Sequence, residues 1–234
     1  MDSIKEVYYD TMNLISFHFA GGNKYSLDKV LKEYAHNYLP FSLQRDTNDR
    51  DLNQIIDNFI LNIQEKILRE TPYVIYGHSM GALLAYLICQ KLQEENLPMP
   101  QKLIVSGKKA PNVPREKKIS HLPDNEFWNE ILTLGGIPDE MQNYPELIDY
   151  YLPILRYDFK LVEDYQYEKK PRLNIPIDVF YGSEEATEEE MIGWHDLTTE
   201  KVTIIQLPGN HFFIFDHVEY FGTYFNGLTN QDKC

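Results

Sequence analysis

The stretch Val74-Ile75-Tyr76-Gly77-His78-Ser79-Met80-Gly81-Ala82-Leu83-Leu84 constrains the fold more than any other part of the chain. A short apolar run, Tyr73 to Tyr76, reads as a buried strand, and a helical run from Gly81 to about Glu95 follows it. Between them lies Gly-x-Ser-x-Gly, with a glycine two residues to either side of Ser79. A strand that turns directly into a helix forces its turning residue into a strained backbone conformation. Side chains two residues away on either side would collide with each other, and glycine at both places avoids this. The turn lifts the serine hydroxyl out of the sheet edge, at the start of a helix whose dipole favours negative charge. This pattern predicts a nucleophile elbow; a plain strand-to-helix turn is the alternative.

The flanking sequence repeats the alternation of strand and helix. Asn13–Phe17 reads as a strand running into the glycine turn His18-Phe19-Ala20-Gly21-Gly22. Ser26 is placed to cap a helix with Leu27, Val30, Leu31 and Tyr34 on one face. Tyr38–Leu43 reads as an edge strand, because Pro40 cannot donate to a ladder. A helix opens at Asp51 and carries Ile55, Ile56, Phe59, Ile60, Ile63, Ile67 and Leu68 at helical spacing. Further strands are expected at Lys102–Ser106, Pro176–Tyr181 and Val202–Leu207, with a closing helix over Phe212–Phe225. The order implies a single α/β domain, 1–234, with a mainly parallel sheet flanked by helices on both faces. The pattern breaks between about 111 and 153, where amphipathic pieces at Asp124–Leu134 and Pro145–Leu155 replace strands. A helical insertion placed after the elbow reads as a lid over the active-site face.

A net charge of −14 argues against nucleic acid or an anionic membrane as a general partner. Neither Cys89, inside a helix, nor Cys234 suggests a disulfide framework or a metal site. The N-terminal Met1–Glu6 lacks a cationic start before an apolar run, and Gly81–Cys89 is too short to cross a bilayer. A cytoplasmic monomer without cofactor is expected.

A serine hydroxyl needs a base within hydrogen-bond reach, and in an elbow fold the chain order is Ser, acid, His. Of seven histidines, His36, His121, His195 and His217 fall on helices or in the insertion. His18 precedes the serine, and His78 points away from Ser79 as alternate residues at a turn must. His211, in Pro208-Gly209-Asn210-His211-Phe212-Phe213 after the last strand, is the expected base. The acid should follow a strand. Lys102–Ser106 has no carboxylate after it until Glu116, whereas Pro176–Tyr181 leads into Gly182-Ser183-Glu184-Glu185. Glu185 is the first choice and Glu184 the reserve; a solvated acidic run is the alternative. Oxyanion donors are expected at the backbone N–H of Met80 and in the glycine turn around Phe19 or Ala20.

Several segments together resemble the type II thioesterases that accompany non-ribosomal peptide and polyketide synthases, a family of the α/β-hydrolase fold. They are Phe19-Ala20-Gly21-Gly22, Gly77–Gly81, Ser106–Pro111, Leu134-Gly135-Gly136-Ile137-Pro138, Leu152–Asp158, Glu163-Asp164-Tyr165, Trp194 and Gly209–Phe213. The resemblance implies hydrolysis of acyl thioesters on the phosphopantetheine arm of carrier proteins, clearing stalled or misprimed groups, with a triad of Ser79, Glu185 and His211. Against the family pattern, Glu185 stands for a usual aspartate and His18 for a proline. Ser42-Leu43-Gln44-Arg45 replaces a usual Pro-Gly-Arg segment, and Lys108-Lys109 an arginine pair. The basic stretch Lys108, Lys109, Arg115, Lys117 and Lys118 is a candidate attractor for the phosphate arm or an acidic carrier. A general esterase or acyl-CoA thioesterase, and an inactive hydrolase serving as an interaction module, are the rival readings.

Overall fold

A computed structural model describes residues 12–31, 37–45, 51–63, 72–114, 117–135, 137 and 143–228. Among the described residues, six parallel strands form one sheet: β1 (Asn13–Phe17), β2 (Asn37–Pro40), β3 (Tyr73–His78), β4 (Lys102–Ser106), β5 (Ile177–Gly182) and β6 (Val202–Leu207). Their spatial order is β2-β1-β3-β4-β5-β6. Every residue of β1, β3 and β5 is buried, as near-continuous apolar strands covered on both faces require. Side chains alternate between the two faces. Ile15, Phe17, Ile75, Leu103, Val105, Ile177 and Val179 join a core with α2 (Leu52–Ile63) and α3 (Met80–Glu94). Leu14, Val74, Tyr76, Ile104 and Phe180 join a second with α1 (Asp28–Leu31) and α7 (Val218–Leu228), the short α6 (Glu188–Met191) lying between β5 and β6 in the chain. The strand order reverses between β1 and β3. In open parallel sheets a ligand crevice lies beyond the carboxyl ends of the strands at such a point, and both the glycine turn after β1 and Ser79 after β3 emerge there.

Several expected elements change length, each for a tertiary reason. β2 is the edge strand foreseen, but it ends at Pro40. Phe41 still donates to Ser16 O at 2.8 Å, and the chain then leaves the sheet so that Leu43 is buried and Arg45 reaches the interior. Ser26 Oγ accepts from Asn23 N at 2.8 Å, so it closes the preceding loop instead of capping α1. Asp51 does cap α2, accepting from Gln54 N at 2.9 Å. The closing helix is broken: a 3₁₀ turn at Phe213–Phe215 buries Phe213 and Ile214, and α7 begins only at Val218. His217 therefore precedes that helix, its ring 2.8 Å from Pro208 O. The residues Tyr34, His36, Ile67, Leu68, Arg115, Glu116, Gly136, Pro138 and Cys234 lie outside the described set.

Between β4 and β5 stand α4 (Asp124–Thr133) and α5 (Pro145–Asp164). The latter runs nine residues beyond the Leu155 expected from sequence, straight through Pro153. An interior proline costs a helix about 3 kcal/mol, but burial of the apolar Leu152, Leu155, Leu161 and Val162 outweighs it. The N-terminal part of α5 builds a small apolar cluster with Phe127, Trp128 and Ile131 of α4, while Leu161 and Val162 enter the main core. Arg156 lies over the Phe127 ring at 4.4 Å and pairs with Asp124 at 2.6 Å. Buried Glu163 accepts the amides of Ile119 and Ser120 at 2.8 and 3.1 Å, fixing the start of the insertion to its end. Among the described residues no helix is long and apolar enough to cross a membrane.

Trp194, fully buried, packs edge-on against Tyr86 at 5.9 Å and donates its indole N–H to Lys108 O at 2.9 Å. Trp194→Ala is expected to lower unfolding free energy by about 3–5 kcal/mol, read as a shift of the urea midpoint at unchanged m-value.

Candidate active site

Ser79 sits between β3 and α3 with φ 56° and ψ −113°, a conformation that non-glycine residues avoid. The two flanking glycines explain how it is tolerated, though not through side chains meeting each other. A Cβ on Gly77 would lie 2.1 Å from Gly81 O, and a Cβ on Gly81 would lie 2.0 Å from Phe17 O. Both glycines are needed because backbone crosses backbone: the elbow against its own helix, and that helix against β1. The amide of Ser79 donates to Ser106 O at 2.8 Å, so β4 anchors the strained residue directly.

The structure brings Ser79, Glu185 and His211 into one file. His211 Nε2 lies 2.9 Å from Ser79 Oγ, and His211 Nδ1 lies 2.6 Å from Glu185 Oε2. The His211 and Glu185 side chains are 15% and 12% exposed, which leaves the pair shielded from bulk water but not sealed. Glu185 Oε1 bends back to accept Gly182 N at 2.9 Å, and this takes up the extra methylene relative to aspartate. Glu184 points its exposed side chain elsewhere; its backbone amide instead donates to Gly209 O at 2.9 Å, tying the acid loop to the histidine loop. A cavity of about 220 Å³ opens beside Ser79 and His211. Phe19, Ala20, Gly21 and Phe212 line its sheet side; Trp128, Ile131, Tyr151, Leu155 and Phe159 of the insertion line the other. Met80 opens α3 with its side chain buried, so only its amide is available to the site, at a helix position that has no intrahelical acceptor.

Two further groups of residues surround this file, and neither was assigned a role from sequence. The buried His78 ring stands 5.1 Å from the His211 ring. Its Nδ1 is 2.8 Å from Ser106 Oγ, which is 2.8 Å from Tyr76 OH, so a polar chain runs through the core beneath the site. Burial first, and the nearby His211 second, push the His78 imidazole well below its ordinary range. Burial also lowers His18, whose Nδ1 lies 2.8 Å from Phe19 O. The other group is Arg45 and Asp158, which join the glycine turn to α5. Signals for it existed: Arg45 ends the segment that departs from the Pro-Gly-Arg pattern, and Asp158 ends one of the segments carrying the resemblance. The basic stretch is in part internally paired, through Lys109 with Glu190 at 2.5 Å and Lys117 with Glu130 at 2.6 Å. The Lys109 ammonium, ahead of the Thr187 amide, holds the Glu190 carboxyl below the usual range. His121 and His195 are exposed.

Residues 12–225 match the model of the thioesterase domain. The chain belongs to that family. It is 32% identical over 169 residues to the gramicidin S biosynthesis protein GrsT of Aneurinibacillus migulanus, an alignment covering 71% of this chain and 65% of that protein. It is 27% identical over 176 residues to the medium-chain S-acyl fatty acid synthase thioesterase of Homo sapiens, covering 72% and 64%. The chain thus spans just under two thirds of the length of both relatives. Among solved structures it is similar to RedJ, the thioesterase from the prodiginine pathway of Streptomyces coelicolor, with TM-score 0.81 and 28% identity over 91% of this chain and 89% of that one. The thioesterase neighbours share the α/β-hydrolase fold expected from the elbow.

Two outcomes follow from this geometry. Gly81→Ala is expected to prevent the elbow from closing on β1, with loss of soluble folded protein or of the cooperative thermal transition. His78 stays neutral when folded, but in the unfolded chain it takes a proton as the pH drops through about 6.5. The unfolded state then binds more protons, so stability should fall as pH is lowered below that value. Urea midpoints between pH 7.5 and 5.5 should show a slope that His78→Asn reduces by up to about 1.4 kcal/mol per pH unit.

Proposed function

We propose that this chain hydrolyses acyl thioesters held on the phosphopantetheine arm of acyl or peptidyl carrier proteins, freeing synthases blocked by stalled or misprimed groups. The observation that carries this reading is the file Ser79 Oγ–His211–Glu185 at the mouth of an apolar cavity. Ser79 attacks the thioester carbonyl while His211 Nε2 takes its proton. Glu185 fixes the Nδ1–H tautomer and stabilises the imidazolium that forms. The amides of Met80 and Ala20 receive the oxyanion, each such donor being typically worth ~10²–10³ in rate. The C–S bond breaks, the arm leaves as its thiol with the proton from His211, and the acyl group remains on Ser79. His211 then deprotonates a water that attacks the ester, releasing the carboxylic acid and restoring the serine. The acyl chain occupies the apolar cavity, where its removal from water adds binding energy without drawing on polar contacts. The chain acts as one hydrolase domain, a cytoplasmic monomer whose α4–α5 insertion serves as the lid, and it needs no cofactor.

A second reading, hydrolysis of acyl groups on coenzyme A or on a fatty acid synthase, is favoured by the apolar lining and by the relative from human fatty acid synthesis. The same acyl group presented on a carrier protein, on coenzyme A and on a small oxygen ester separates the two. A clear preference for the carrier in kcat/KM is expected; equal or better turnover of the coenzyme A thioester would move the assignment to the second. Ser79→Ala and His211→Ala are each expected to lower kcat by on the order of 10⁴–10⁶, and Glu185→Gln by on the order of 10⁴. Fluorophosphonate labelling should vanish in Ser79→Ala. Folded wild-type protein that does not label would reject the hydrolase reading in favour of an inactive interaction module.

A further inference from the structure

Asp158 lies on α5, 137 residues from the turn it touches. Its carboxylate is fully buried. Oδ2 accepts the amide of Gly21 at 2.7 Å and Arg45 Nη2 at 2.6 Å, while Oδ1 accepts Arg45 Nε at 2.8 Å. The same Nη2 donates to Gly22 O at 2.8 Å. One bidentate ion pair therefore grips the N–H of Gly21 and the carbonyl of Gly22. It joins three segments that are remote in sequence: the turn after β1, the loop after β2, and the insertion. A buried charge with this many partners is costly to break, since either member left alone is an uncompensated ion in the interior.

The grip bears on Ala20. Residues 19–22 form a turn in which Gly22 N donates to Phe19 O at 3.0 Å and Gly21 has φ 78°, the positive value a type II turn requires at its third residue. Ala20 stands between two peptide planes. The first contains Phe19 O and Ala20 N–H. Its oxygen is held by Gly22 N and by His18 Nδ1–H at 2.8 Å. A trans peptide points its N–H opposite its C=O, so those bonds aim the Ala20 amide. The second plane contains Ala20 O and Gly21 N–H, and Asp158 holds it. With both planes fixed, Ala20, which lines the cavity, has little freedom to turn its N–H, and Leu155 of α5 lies against Gly21.

We propose that Arg45 and Asp158 are positioning residues that set the direction of the Ala20 oxyanion donor and link it to the helical insertion. This rests on the acyl-serine reading above. Preorganised donors act where charge develops, so a donor that drifts weakens the transition state more than the bound substrate. Asp158→Asn removes the charge that Arg45 needs. Arg45→Lys keeps a cation but loses the fork that reaches both carboxylate oxygens and Gly22 O.

The test compares wild type with both variants on a short acyl thioester of N-acetylcysteamine. It also measures affinity for a trifluoromethyl ketone of the same chain, which forms a tetrahedral adduct with the serine, and for the unreactive thioether. Asp158→Asn should lower kcat about 10- to 100-fold with KM within about two-fold, and Arg45→Lys should give a smaller loss of the same kind. Ketone affinity should fall in step with kcat/KM while thioether affinity holds. A folded variant with wild-type kcat, or equal weakening of ketone and thioether, overturns the proposal. If Asp158→Asn does not fold, Arg45→Lys alone decides on the same criteria. Wild-type protein that neither turns over the thioester nor forms the ketone adduct would sink the hydrolase reading itself, an outcome distinct from unaffected variants of an active enzyme.

Discussion

The close crossing of backbone on backbone at the elbow is the constraint on which the rest of the structure depends. With no Cβ at Gly77 and Gly81, α3 lies directly against the carbonyl of Phe17 and against its own entering strand. That contact places Ser79 at the switch point of a parallel sheet, where the strands on either side diverge and leave a crevice. The strain at Ser79 persists because β4 grips its amide and the fully buried strands around it leave no room to relax. Everything chemical at the site is then a matter of what reaches this one raised hydroxyl.

What reaches it comes from loops at the carboxyl ends of three strands and from the insertion. The acid loop after β5 and the histidine loop after β6 are bonded to each other through Glu184 N and Gly209 O, so Glu185 and His211 move as a unit. Beneath them the chain Tyr76–Ser106–His78 fills the space with neutral, hydrogen-bonded groups. His78, held below its ordinary range, adds no charge beside the His211 ring. Above them, α4 and α5 bring an apolar wall, and through Asp158 the wall is tied to the turn that faces the serine. The cavity wall and the glycine turn thus share one helix.

Membership of the thioesterase family agrees with this arrangement, and the departures from the family pattern find local explanations. Glu185, in place of aspartate, returns its second carboxylate oxygen to the amide of Gly182. Arg45 shows that the segment Ser42–Arg45, which departs from the usual pattern, still delivers a guanidinium to the turn. His18 is not a vacancy left by proline but a donor to Phe19 O, turning a change in sequence into one more restraint on the same peptide.

The elbow, the parallel order and the residues that meet at Ser79 were legible in the sequence because each rests on a short-range rule. Glycine spacing marks a backbone crossing, unbroken apolar runs mark strands buried on both faces, and the chain order of nucleophile, acid and base follows from the winding of the sheet. Even the choice between Glu184 and Glu185 could be ranked in advance, though only coordinates show which carboxylate faces the ring. The course of α5 through Pro153, the break before α7 and the early end of β2 were not legible. In each case local propensity pointed one way and burial of distant side chains outweighed it. The Arg45–Asp158 pair belongs to the same class. By itself the sequence determined where the chain must bend and which residues carry reactive groups, since those follow from the conformational limits of neighbouring residues. Only the tertiary structure decided how those groups are aimed, because aim is set by contacts between segments remote in the chain, whose energies no local pattern records.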